Sequence, residues 1–348
     1  MDAWAAHCHT AMIGKTPVGG TLTRRDTQMK SISHKRTGTT AVFAAVVLAA
    51  GLTACGSSGS SASKTPSAAG APAGQPGKGK PAVTLGDKNF TEEFILGNLY
   101  AQALRAKGFT VNIKSNIGSS EITDKALTSG QIDMYPEYSG VIYSVLAKLG
   151  DTPPSAEVTY QGAAKFEAGR GFTYLSPTPF QDADRVAVSK TFADAHGLKS
   201  TADLKKLKSF TYGGPAENAT RFQGVVGMKK AYGLTNLKFV PLPVGSQYQA
   251  LDAGKVDTIA IFTTDGQLTS KKYVVLDDPK GIFGFQQVAP VVSNKVLAAE
   301  GPAFKETLDA VSAKLTDQAI QVMNQAVGVN QQDPAAVAGQ FLSANGLK

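Results

Sequence analysis

The chain has 348 residues, enough for two domains that each build a core. With 42% hydrophobic and 18% charged residues it has a globular composition, which excludes a fibrous or wholly disordered protein. The formal net charge of +8 is concentrated at the start: residues 1–54 carry Lys15, Arg24, Arg25, Lys30, Lys35 and Arg36 against Asp2 and Asp26. The remainder is nearly balanced and shows no basic stripe interleaved with aromatics, so nucleic acid is not an expected partner.

The two cysteines, Cys8 and Cys55, fit neither a disulfide framework nor a metal spacing. Lys30, Lys35 and Arg36 precede an apolar run at residues 41–50, and small residues follow it, which is the layout of an export signal. That run is too short to span a bilayer, which needs about 20 residues. The ending Leu52-Thr53-Ala54-Cys55 resembles the lipobox of bacterial lipoproteins, which implies cleavage before Cys55 and lipidation of its thiol. Met29 makes a natural start for this signal, with residues 1–28 an upstream extension. An ordinary secretory signal is the plainer alternative. After Cys55, residues 56–80 are mostly Gly, Ser, Ala and Pro with almost nothing apolar, so 55–80 reads as the lipidated Cys and a flexible tether by composition.

The folded body is expected in three parts: 81–185 as a first lobe, 186–287 as a second, and 288–348 returning to the first. The first opens with a strand at 83–86, the loop Asp87-Lys88-Asn89-Phe90 and a helix over 91–107. Ile95, Leu99, Ala103 and Ala106 give that helix one apolar face, with Asn89 or Thr91 as its cap. A strand at 109–113 follows, then a helix opened by Ser119-Ser120 and ended by Gly130, then a strand at 131–135 and a loop bearing Tyr138 and Ser139. Helices at 141–149 and 155–169 and an extended connector from Thr173 lead to a strand at 185–189 that crosses into the second lobe.

There the same grammar returns: a strand at 210–212, the loop Gly213-Gly214-Pro215-Ala216, a helix over 217–232, a strand at 237–242, and a second helix–strand turn. The segment Ala126-Leu127-x-x-Gly130-x-Ile132-Asp133 is echoed by Ala250-Leu251-x-x-Gly254-x-Val256-Asp257. The repeated Asp133 and Asp257 read as structural residues of that turn. A strand and turn at 274–281, a return crossing at 288–292 and helices at 303–326 and 334–343 complete the chain. Strand–helix–strand–helix–strand, stated twice, predicts an α/β protein of two lobes. Each lobe is a mainly parallel sheet flanked by helices, and two hinge crossings join them. Ligands in such sheets collect at the carboxyl ends of strands, facing helix N-termini. Asn89, Phe90, Thr91, Ser119, Ser120, Asn218 and Arg221 are therefore candidates for a cleft. Thr91, Ser119 and Asn218 could equally be helix caps, and Arg221 a solvated helix residue. Tyr212, Tyr248 and Phe283 are weaker aromatic candidates.

No nucleophile–base pair, metal cluster or phosphate loop has the right spacing, and His196 is the one histidine after Cys55, so no enzyme, metal or cofactor is expected. The stretches Gly86-Asp-Lys-Asn-Phe-Thr-Glu-Glu-Phe-Ile-Leu96, Asp133-Met-Tyr-Pro-Glu-Tyr-Ser-Gly140 and Thr263-Thr-Asp-Gly266 resemble the osmoprotectant-binding proteins of ABC importers. The likeness runs over roughly residues 82–345. It implies the type II periplasmic-binding-protein fold, glycine betaine, choline or carnitine as ligand, and ABC permease subunits as partners. A monomer anchored at the extracytoplasmic face of a bacterial membrane is the expected form.

A quaternary ammonium donates no hydrogen bond and is held against aromatic faces, which here are Tyr and Phe because Trp4 is the one tryptophan. The resemblance carries the family's cage aromatics onto Tyr138 and onto Phe262, where relatives have Tyr, and brings Thr263 and Asp265 with the second motif. Relatives place a further aromatic just before the first crossing strand, where this chain has Asp184-Arg185. An acid and a base there suit a ligand bearing both charges. An ergothioneine-like betaine or an amino acid is the alternative ligand, and a sensor lipoprotein the alternative class.

Overall fold

The computed structural model describes residues 74–348. The signal segment, Cys55 and the tether up to residue 73 lie outside the described residues. The last residues of that tether form a turn at 76–79 held to the body: Gly77 N–H donates to the Lys107 carbonyl at 3.0 Å and Lys80 Nζ to the Ala299 carbonyl at 2.8 Å.

Among the described residues, the strands in chain order are β1 (Ala82–Gly86), β2 (Thr110–Lys114), β3 (Met134–Tyr138), β4 (Phe172–Tyr174), β5 (Asp184–Ser189), β6 (Phe210–Gly214), β7 (Leu237–Pro241), β8 (Thr258–Phe262), β9 (Tyr273–Leu276) and β10 (Val288–Ser293). They form two sheets of the same design, ordered β2-β1-β3-β10-β4 and β7-β6-β8-β5-β9. In each, the fourth strand alone runs against the others. Those reversed strands, β5 and β10, are the ones that enter a lobe from the other. The segments that cross run side by side, with Thr178 N–H on the Val288 carbonyl at 2.8 Å and Asp182 N–H on the Gln286 carbonyl at 3.1 Å. Each sheet carries two buried clusters, around Leu85, Leu99 and Phe341 and around Tyr135, Ala163 and Val291 in the first, and around Tyr212, Met228 and Phe283 and around Leu251, Ile259 and Ile261 in the second.

The repeated aspartates do the same job twice. Asp133 Oδ2 accepts the Thr84 N–H on β1 at 2.7 Å, and Asp257 Oδ2 accepts the Thr211 N–H and hydroxyl on β6, both at 2.8 Å. Each carboxylate thereby fixes the start of a central strand to the helix–strand turn beside it.

Several local expectations are corrected. The strand expected at 131–135 lies at Met134–Tyr138, so Tyr138 ends a strand instead of riding a loop, and Ser139 begins a helical turn. Helix Thr91–Ala106 buries Ile95, Leu99 and Ala103, but Ala106 is exposed in its last turn. Its N-cap is Phe90, which contributes no capping side chain; Glu93 reaches back to the Lys88 N–H instead. The helix expected over 217–232 is broken into 3₁₀ turn Ala216–Ala219, π-turn Phe222–Val226 and helix Gly227–Lys230. Gly224 causes the break: a Cβ there would collide with the Asn218 carbonyl, and the residue is non-helical at φ −144° and ψ −132°. The helix expected over 303–326 divides into Pro302–Ser312 and Asp317–Asn324, the second capped by the Thr316 side chain. Removing one strand tie isolates its worth: Asp133→Ala should lower unfolding stability by about 0.5–1.5 kcal/mol in urea denaturation, because a partly buried strand N–H loses its acceptor.

Candidate functional site

The two sheets face a cleft with about 680 Å³ of empty space, part of it open to solvent, within the range of small-molecule sites. Its aromatic wall is a row of three rings. Phe90 stacks on Phe262 with centroids 5.3 Å apart and lies 6.0 Å from Tyr138. Phe90 precedes a helix of the first lobe, Tyr138 ends β3 and Phe262 ends β8, so both lobes supply the wall.

Behind the rings sits a buried cation. Lys88, 2% exposed, places Nζ 2.5 Å from Glu137 Oε1, 3.6 Å from Glu93 Oε1 and 3.4 Å from Ser120 Oγ. The same ammonium stands 4.2 Å from the Tyr138 ring centroid. One ammonium faces two carboxyl groups, and burial, opposed by Lys88 and reinforced by the Glu137 charge, pushes Glu93 up to about 8. At neutral pH the cluster is thus a Lys88–Glu137 ion pair with a protonated Glu93.

Tyr138 is tied into the crossing region as well. Its hydroxyl donates to Glu92 Oε1 at 2.7 Å. Glu92 Oε2 meets Thr264 Oγ1 at 2.6 Å and Asn324 Nδ2 at 2.8 Å, and Thr264 Oγ1 also lies 2.7 Å from Asp182 Oδ1. A hydroxyl has one proton and cannot donate to both carboxyls, so one of them is itself protonated and donates to Thr264. Burial pushes both groups up, and for Asp182 the Glu92 charge adds to it. This cluster joins the first lobe, a crossing segment and the loop after β8. Gly266 completes that junction, since a Cβ there would collide with the Gln325 backbone.

The remaining candidates divide. Asn89, Ser119, Ser120, Asp184, Asn218 and Arg221 line the cleft. Arg221 is not a helix residue: its extended backbone brings the guanidinium across the cleft, where Nη2 donates to Glu121 Oε2 at 2.8 Å and Nε to Oε1 at 3.3 Å. Burial alone would raise Glu121, but the Arg221 charge and hydrogen bonds outweigh it and hold the carboxyl low. Ser119 stands at a helix N-cap yet gives its hydroxyl to Glu121, and Asn218 donates to the Tyr212 hydroxyl at 3.2 Å. Asp184 is pushed up to about 6 by burial, against the pull of Arg221 and Arg185.

Arg185, Thr263, Thr91 and Asp265 are not brought to this cleft. Neighbours on a strand point to opposite faces, so Arg185 leaves the side Asp184 lines; its guanidinium lies 5.6 Å from the Phe283 ring and donates to the Asp184 carbonyl. Thr263 Oγ1 accepts the Ala183 N–H and stitches the loop to the crossing segment. Thr91 and Asp265 line an adjoining chamber of about 760 Å³ beyond the Phe90–Phe262 pair, together with Tyr248, whose hydroxyl donates to Asp265. Tyr212 and Phe283 are core residues. Sequence reasoning passed over Lys88, Asp182, Glu217 and Gln247 as cleft-lining residues. Lys88 stood inside a quoted motif; the others carry no local signal.

Six carboxyls of this region and its surroundings, Glu92, Glu93, Asp182, Asp184, Asp265 and Glu167, are shifted upward. The folded chain therefore holds protons that the unfolded chain has released above the usual carboxylate range. Their contribution to stability is complete below that range and is lost as pH rises through the folded values, about 6 for Asp184, 7 for Asp265 and 8 for Glu93. The melting temperature should fall from pH 5.5 to pH 8.5 by differential scanning calorimetry; a rise would contradict these assignments.

The family model for the substrate binding domain of the ABC-type glycine betaine transport system matches residues 81–344. The glycine-betaine-binding protein of Pseudomonas aeruginosa is 30% identical over 277 residues, 76% of this chain and 88% of the relative. The ergothioneine transport permease/ergothioneine binding protein EgtU of Helicobacter pylori is 26% identical, over 77% of this chain and 48% of that longer protein. The apo structure of YehZ from Escherichia coli superposes with a TM-score of 0.58 at 27% identity, covering 77% of this chain and 99% of that one. Doubled sheets, paired crossings and an aromatic-walled cleft are thus accompanied by a match across nearly all described residues, and the chain belongs to the family of substrate-binding domains of ABC-type glycine betaine transport systems.

Proposed function

We propose that this protein captures a small quaternary-amine solute between its lobes and hands it to the membrane permease of an ABC importer. The observation that carries the reading is the three-ring wall of Phe90, Tyr138 and Phe262, drawn from both lobes around one cavity. A trimethylammonium head spreads its charge over methyl groups and gains by leaving water for aromatic faces, each worth about 0.5–2 kcal/mol. Because Phe262 belongs to one lobe and Phe90 with Tyr138 to the other, the ring wall is complete only when the lobes are together. Solute binding and lobe closure are then a single equilibrium. The Glu121–Arg221 pair spans the same gap and favours the closed arrangement.

Asn89, Ser119, Ser120, Asn218 and Asp184 are among the polar groups that line the cavity for the rest of the solute, and Arg221 is the one that meets a carboxylate if Glu121 yields it. Cys55 is the proposed lipid anchor, which would hold a monomeric receptor on the outer face of the cell membrane. A bulkier betaine of the ergothioneine type is the second reading, favoured by the chamber beyond the Phe90–Phe262 pair. Isothermal titration calorimetry against glycine betaine, choline, carnitine and ergothioneine tests both. At least one should bind, and Phe262→Ala should weaken that binding by about 0.5–2 kcal/mol. Absence of heat with all of them would sink the quaternary-amine reading.

A further inference from the structure

The ionised groups of the cleft are not evenly matched. Lys88 is bonded to Glu137, and Arg221 to Glu121, so both cations that line the cavity already have carboxylate partners. Asp184 lines the same cavity from the start of β5, and no hydrogen bond or ion pair reaches its carboxylate among the described residues; its backbone carbonyl accepts from Arg185. Two arginines act on it through space, but Arg221 is committed to Glu121 and Arg185 to that carbonyl and the Phe283 face. Glu217, also at the cavity, adds a second acid with no bonded partner. Asp184 is half-buried at the cavity wall, and a carboxylate in such a cleft with no donor on it is stabilised by a partner that brings the missing charge.

Resting on the quaternary-amine reading above, we propose that Asp184 sets the charge class of the solute. It selects a cation carrying an O–H or N–H donor, of the amino-alcohol kind, over a zwitterion. A cation leaves both internal ion pairs intact and supplies the charge Asp184 lacks. A zwitterion has a carboxylate of its own to place. Unless it draws Arg221 from Glu121 or Lys88 from Glu137, that carboxylate has only neutral donors such as Asn89 and Asn218 to meet it, in a cavity where Asp184 and Glu217 repel it. Lys88 and Glu137 are 2% and 0% exposed, and separating such a pair strands a buried charge. Discrimination therefore comes as much from repulsion of the zwitterion as from attraction of the cation.

Calorimetry of the purified full chain at pH 8 with choline and with glycine betaine tests this. Choline should bind roughly tenfold tighter or more, Asp184→Asn should weaken choline by roughly tenfold without weakening glycine betaine, and Asp184→Glu should keep the preference. The wild-type ratio stands as a test even if the Asn variant misfolds. Glycine betaine binding as tightly as choline, or an Asn variant that retains the choline preference, overturns the role of Asp184 and leaves the receptor reading in place. Heat with neither solute overturns both.

Discussion

The site is governed by the cost of taking charge out of water. Lys88, Glu93 and Glu137 are buried together beneath the aromatic wall, and the ammonium is tolerable there because one carboxylate pairs with it and another is neutralised. A pair so enclosed has little freedom to rearrange. It holds Phe90 and Tyr138 from behind, since Lys88 lies against both rings. The wall is therefore preorganised by electrostatics that the solute need not supply.

The same cost links the wall to the crossing segments. Tyr138 presents a ring to the cavity while its hydroxyl joins Glu92, Thr264, Asp182 and Asn324, a cluster spanning both lobes and the chain between them. A proton held between Glu92 and Asp182 lets the two carboxyls approach one hydroxyl without facing each other as two full charges. The ring that lines the cavity and the segments that cross between the lobes are two ends of one hydrogen-bonded unit. Gly266 permits it by letting the loop after β8 lie on the Asn324–Gln325 backbone.

Departures from local expectation fall where packing overrides propensity. The segment 217–232 has helical composition, yet Gly224 lets the chain fold back over the Asn218 carbonyl. That break delivers Arg221 to Glu121. The sequence places Tyr138 on a loop after a strand at 131–135, but pairing with β10 extends the strand through it, with Tyr138 opposite Val288. Arg185 and Asp184 could not be told apart as site residues from their order alone. Which side of β5 faces the cleft decided between them, and a strand sends neighbours to opposite faces.

What the sequence determined by itself was the doubled plan: periodic apolar faces, turn glycines and the repeated Asp133 and Asp257 are local signals, and local signals are written in residue order. It also contained the three rings and the motifs around them. What only the tertiary structure decided was the set of partners. Lys88 with Glu137, Arg221 with Glu121, and Thr264 with both Glu92 and Asp182 join residues far apart in the chain. Pairing of buried charge depends on distance and dielectric in three dimensions, and neither quantity exists until the lobes have packed.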